Sequence, residues 1–346
     1  MAHASFRGVS ICALALGVIT FFAPVGNMAL AADQDESVLV ELPPSPAFSS
    51  VSRARLNAFL DALESGHTSA FEKLLPNFND PLLQKASEWM WLISPNSGHS
   101  FEQITTFIDA NPKWPSQSLL RQRAEESMTD AVPDADILAW FKRSAPVTAD
   151  GATRQIKALL SAGETAAATT LIRNSWVNEN FGTGQEKRFL DRYGEYIDQE
   201  THQQRLDRLL WEGRLGPAKR TMKYVSNDYL LLAKARAALR SLDGGVDAAI
   251  NRVPKKYQKD PGLIYERVRW RRVKDRDQEA RDLLLSQAND LAYISIRPRY
   301  WWIEKAILAR RALQKGHITD AYRLVANHGQ TDAGDIAEAE WYAGWI

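Results

Sequence analysis

The sequence predicts an all-α protein, a curved α-solenoid or superhelix of paired antiparallel helices, irregular but similar to tetratricopeptide arrays. Three observations carry this expectation. Apolar residues recur with helical spacing, as in Leu56, Phe59, Leu60 and Leu63, or Ala168, Leu171, Ile172 and Ser175, the stripe of a helix with one buried face. Stretches of period-two alternation are nearly absent. A joint also recurs at Gly163/Ala168/Ile172, Gly213/Ala218/Met222, Gly244/Ala249/Val253, Asp275/Ala280/Leu284 and Gly316/Ala321/Val325. Each joint offers a turn residue, an alanine five positions on and an apolar residue nine positions on.

Taken in order, the chain opens on an export signal over residues 1–31. Arg7 supplies its positive start, residues 11–22 its apolar core, and Ala29-Leu30-Ala31 the small-x-small cleavage site at Ala29 and Ala31. The apolar run is broken by Pro24, Gly26 and Asn27, too soon for a membrane span of ~20 residues. Cleavage removes Cys12, the sole cysteine, so the mature chain forms neither a disulfide nor a thiolate metal site. Residues 32–52, with Pro43, Pro44 and Pro46, read as a flexible leader.

Residues 53–346 read as one superhelical domain of about eighteen helices. Ser100, Thr148 and Ser226 are expected N-caps, and Pro115 and Pro133 suit first-turn positions. At the joints a glycine reverses the chain in the left-handed region. The alanine lets the second helix approach closely, and the apolar residue fills the seam. Asp275 tolerates the same turn. The joints lie 50, 31, 31 and 41 residues apart, near the length of a helix-turn-helix repeat but without a fixed period. The closing AEAEWYAGWI has no stop signal and reads as the front of a helix, so the domain is expected to continue past Ile346.

The chain holds 43 basic and 42 acidic side chains, Arg7 of the signal among the former. That balance argues against a nucleic-acid binder. It conceals an asymmetry: residues 32–204 hold 15 basic and 24 acidic groups, residues 205–281 hold 20 and 10. No two histidines stand at i, i+4, no HExxH is present, and the Gly244-Gly245 run follows no strand. Metal and nucleotide sites are therefore not expected, and no cofactor is. The densest charge run is Arg267, Arg269, Arg271, Arg272, Lys274 and Arg276. It reads either as a solvated helix face with local acidic partners or as an attraction for an anionic polymer. Trp301 and Trp302 are either core residues or sugar-stacking rings.

Six segments in one order resemble the superhelical N-terminal domain of soluble lytic transglycosylases. They are SFEQITTFIDANPKWPSQSLLRQRAEESM (100–128), LIRNSW (171–176), RLDRLLWEGR (205–214), LIYERVRWRR (263–272), RPRYWWIEKAILARRAL (297–313) and AEAEWYAGWI (337–346). The resemblance implies a periplasmic partner of peptidoglycan glycan strands. It also implies an enzyme family that cleaves the bond between N-acetylmuramic acid and N-acetylglucosamine with a 1,6-anhydro product, one Glu serving as acid and then base. In the family that Glu precedes a Ser and, further on, a GLMQ-type segment in a separate lysozyme-like domain. Glu36-Ser37, Glu64-Ser65 and Glu126-Ser127 have no GLMQ segment after them, so no residue here takes the catalytic role by motif. The chain is expected to position glycan without cleaving it. The alternative is a periplasmic scaffold for other cell-wall proteins, docking them on Trp341, Tyr342 and Trp345.

Overall fold

The computed structural model describes residues 50–65, 73, 80–287 and 294–346. The expected export signal, its expected cleavage site and most of the expected leader lie outside these residues. The described residues form seventeen α-helices and three short 3-10 turns, with no strand among them. The chain divides into two compact units, residues 1–131 and 132–346.

In the first unit, α1 (Ser50–Ser65) packs on α2 (Pro81–Leu92) through Phe59, Leu83 and Trp91. The Asp80 carboxylate caps α2 by accepting from the N–H groups of Leu82 and Leu83, with Pro81 at the first position. Ser100 starts α3 (Phe101–Ala110) in a reciprocal capping box with Gln103. α4 (Gln117–Glu126) follows. Pro115 departs from expectation. It lies in the turn before α4, and its carbonyl accepts from Trp89 Nε1 at 3.1 Å.

The second unit opens with α5 (Asp134–Arg143), α6 (Ala149–Ser161), α7 (Thr165–Asn178) and α8 (Thr183–Tyr193). Then come α9 (Gln199–Trp211), α10 (Leu215–Thr221), α11 (Asn227–Ser241) and α12 (Val246–Asn251). α13 (Pro261–Val273), α14 (Asp277–Gln287), α15 (Pro298–Gln314), α16 (Ile318–Ala326) and α17 (Ala333–Trp345) complete it. Thr148 and Ser226 cap α6 and α11 as expected. Pro133 stands at the cap position before α5, one residue ahead of the first turn.

This unit is an α-solenoid of stacked helix pairs: α6 with α7, α9 with α10, α11 with α12, α13 with α14 and α15 with α16. α11, α13 and α15 also pack on the first helix of the pair before them, whereas α9 packs on α7. The joints work as the residue types require. Gly163, Gly213, Asp275 and Gly316 all take positive φ, between 56° and 78°. In each, the N–H of the next residue bonds to the carbonyl five residues back, as from Glu164 to Leu159 and from Arg276 to Arg271, the closure of a Schellman cap. Ala168, Ala218, Ala280 and Ala321 are wholly buried behind them. The third joint departs from the sequence pattern. There the left-handed residue is Leu242, with Asp243 bonding back to Ala238, while Gly245 rather than Gly244 carries the second positive φ.

Arginines of residues 205–281, together with Arg311, tie the pairs together. Arg208 of α9 donates to the carbonyls of Val177 and Glu179 at the end of α7, and Arg240 of α11 donates to Leu210 and Trp211 at the end of α9. Arg269 of α13 reaches the Arg240 carbonyl, and Arg311 of α15 the Arg272 carbonyl. The last carbonyls of a helix lack partners within it, and a guanidinium from the next pair supplies them. Much of the basic excess in this stretch is thus structural.

Candidate functional site

A cleft lies in the second unit, where the first turn of α6 meets α8. Thr148 accepts from the Gly151 N–H at 2.9 Å to start α6. Gln185 starts α8 in a similar way, its Oε1 accepting from the Gly182 N–H at 2.9 Å. Its Nε2 also donates to Asp150 Oδ1 at 2.9 Å, which fastens the two helix starts together. Between them opens the cleft, lined by Ala149, Asp150, Thr153, Phe181, Gln185, Arg188, Phe189, Arg192 and Tyr193.

The apolar floor of this cleft is closely packed. Trp176 of α7 stacks on Phe189 at 6.1 Å and 11°, and Phe181 meets Phe189 at 4.7 Å. The buried Arg205 guanidinium sits 4.1 Å from the Trp176 ring and 5.3 Å from Phe181, a cation–π arrangement. Burial pulls the Arg205 pKa down to about 10, offset in part by Glu186, so the group stays charged at neutral pH. Trp176 Nε1 donates to His202 Nδ1 at 3.1 Å, which locks that imidazole beneath the aromatic set.

The rim is cationic. Arg188 and Arg192, one turn apart on α8, are both exposed, and neither has an ion-pair or hydrogen-bond partner among the described residues. Tyr193 is 2% exposed, and its hydroxyl has no hydrogen-bond partner. A buried hydroxyl left unpaired is uncommon and costs stability.

The residues singled out from sequence lie elsewhere. Arg272 forms a two-point ion pair with the buried Glu304, and Arg276 grips Glu279 at 2.5 and 2.6 Å. Arg271 donates to the Arg267 carbonyl at 3.1 Å and lies 3.8 Å from Glu279, while Arg269 bonds the Arg240 carbonyl. Arg267 is half-buried and within the field of Asp247, which leaves Lys274 as the exposed charge with no such contact. Trp301 is 0% and Trp302 5% exposed. Trp301 packs edge-on against Trp211 and Tyr265, and Trp302 against His328 and Tyr342. The sugar-stacking expectation for this pair is therefore corrected, since neither ring presents a face to solvent.

Sequence reasoning passed over the cleft. Its signal was the pair Arg188-Phe189 and Arg192-Tyr193, a cation and an aromatic repeated at helical spacing. Among the described residues no group of three or more His, Cys, Asp and Glu could hold a metal, and no helix is long and apolar enough to cross a membrane.

No protein-family model matches the sequence, and no curated protein does. Solved structures do resemble the chain. The 70-kDa soluble lytic transglycosylase from Escherichia coli is 15% identical with a TM-score of 0.45, and a complex of the 70-kDa enzyme with bulgecin A is 14% identical with the same score. In both cases 84% of this chain is covered, and it spans 57% of the length of the enzyme. At this depth of likeness, function is left to the chain's own residues.

Proposed function

We propose that this chain is a helical peptidoglycan-binding module of the lytic transglycosylase kind, exported to the periplasm, which positions glycan strands without cleaving them. The observation that supports it is the α6–α8 cleft. Two uncommitted guanidinium groups there stand beside an apolar aromatic wall and an Asp-Gln pair. Sugar rings present apolar faces and hydroxyl groups, and peptidoglycan adds carboxylates. The cleft offers guanidinium groups for the carboxylates and the Asp150–Gln185 pair for the hydroxyls.

Cleavage would need a Glu held protonated in a closed groove. Glu64 is exposed near the end of α1, and Glu126, at the end of α4, is ion-paired with Arg123 at 2.6 Å. Neither environment fits that requirement. The test is to incubate the purified protein with sacculi. It should co-sediment with them, less so at high ionic strength, because exposed charges are screened over ~8 Å at physiological salt. No anhydromuropeptides should appear. Their release, undiminished in Glu64→Gln and Glu126→Gln variants, would overturn the non-catalytic assignment, and failure to sediment would overturn the binding role.

A second reading, a scaffold for other proteins, has one observation in its favour. Trp341 and Trp345 on α17 are 66% and 63% exposed, with ring planes 8° apart. No sedimentation with sacculi, together with binding to a cell-wall protein that is lost in Trp341→Ala/Trp345→Ala, would favour this reading over the cleft.

A further inference from the structure

The α6–α8 cleft holds one polar group that the fold itself leaves unused. Tyr193 lines the cleft, is almost fully buried, and makes no hydrogen bond through its hydroxyl. A phenylalanine would fill the same ring position among Phe181, Phe189 and Ile197 without burying an unpaired oxygen. Arg188 and Arg192 flank the same cleft, exposed and uncommitted. Most other arginines in this part of the chain are tied to carbonyls or carboxylates, as Arg173 is to Tyr196 and Asp198, and Arg208 to Glu179 and Glu212.

We propose that this cleft is a recognition site for a sugar carrying a carboxylate, with the carboxylate held by Arg188 and Arg192 and assisted by the Tyr193 hydroxyl. This deepens the peptidoglycan-binding reading and rests on it. Two guanidinium groups one helical turn apart suit a planar, two-oxygen anion. The carboxylate of Asp150, held by Gln185 at 2.9 Å, keeps acceptor capacity on its other oxygen. It favours a ligand that brings several hydroxyl or amide N–H donors next to its anionic group, as an acidic aminosugar does. Phe181 and Phe189, 5% and 3% exposed, close the floor beneath the ligand.

N-acetylmuramic acid and N-acetylglucosamine isolate the carboxylate, since they differ by the lactyl ether that carries it. The experiment titrates each, and inorganic phosphate, into the isotopically labelled protein and follows amide shifts. N-acetylmuramic acid should give saturable shifts confined to α6 and α8, with N-acetylglucosamine and phosphate at least tenfold weaker. Arg188→Gln and Arg192→Gln should each weaken the acidic sugar about tenfold, as loss of a hydrogen bond to a charged group does. Tyr193→Phe should weaken it severalfold while leaving the unfolding midpoint at or above that of the unaltered protein. That pairing separates a ligand-holding hydroxyl from a structural one.

Equal binding of the neutral sugar, tighter binding of phosphate, or shifts unaffected by both arginine changes would overturn the proposal. So would a Tyr193→Phe variant that binds normally. A parallel sacculus sedimentation keeps the two readings apart. No sedimentation of the unaltered protein defeats the peptidoglycan role itself, whereas sedimentation without N-acetylmuramic acid shifts defeats only the cleft assignment.

Discussion

His202 shows how a single residue can link stability to pH. Its ring is buried, stacks on Tyr224 at 4.5 Å and 14°, and accepts the Trp176 indole N–H on Nδ1. That acceptor role requires the neutral form. Burial, then the nearby Arg205 charge, lowers its pKa from 6.5 to about 4, against a smaller opposing pull from Asp198. The unfolded chain therefore takes up a proton near pH 6.5 that the folded chain refuses until about pH 4. Where the unfolded state binds more protons, stability rises with pH. The His202 contribution is thus full above pH 6.5 and lost as pH falls from there through about 4. The unfolding midpoint should drop across this window, and His202→Gln, which keeps an acceptor but cannot titrate, should flatten the drop. A variant with an unchanged pH profile would contradict this assignment.

At the scale of the element, the joints turn a backbone requirement into a sequence signature. Every left-handed cap in the second unit needs a residue at positive φ, and glycine meets that need without a Cβ penalty. Asp275 occupies such a cap at φ 56°. Its carboxylate is largely solvent-exposed, with a 3.5 Å contact to Arg311, an exposed pairing that contributes little. Asp275→Gly should therefore stabilise the fold by about 1 kcal/mol, measurable as a higher denaturant midpoint at unchanged slope. A lower midpoint would show that the Arg311 contact outweighs the backbone strain. Leu242 sits in the same conformation at φ 61°, yet its sequence neighbours Gly244 and Gly245 drew attention away from it. A bulky residue with positive φ is seldom inferred from sequence, because only the helix that must end there forces the conformation.

Across the second unit, stability is shared between neighbouring pairs, since the helices of a stacked array rest mainly on the pairs beside them. Arg240 is a case in point. It bonds the end of α9 and lies 2.5 Å from the buried Glu266 of α13. Burial raises the Glu266 pKa to about 7, against the pull of Arg240, Arg236 and Arg269. Arg240→Met should cost about 3 kcal/mol, the penalty for leaving a buried charge unpaired, moderated because Glu266 can take up a proton. Hydrogen exchange should show protection lost in α9, α11 and α13 and retained in α5 to α7. Loss spread evenly over the unit would contradict the neighbour-by-neighbour account.

The sequence by itself determined the all-helical class, the caps at Ser100, Thr148 and Ser226, and four of the five joint residues. These follow from local rules of backbone sterics, capping and periodicity, which act over a few residues and are written where they act. Tertiary structure decided what the charged and aromatic residues do. Arg272 and Lys274 lie two positions apart, yet one is locked to Glu304 and the other is exposed. Trp301 is core and Trp341 is surface, although both are tryptophans on helices. Arg188, Asp150 and Tyr193 come from two helices with a third, α7, between them in the chain. Their meeting depends on how helices pack across tens of residues, and the desolvation and pairing that set their chemistry exist only after that packing.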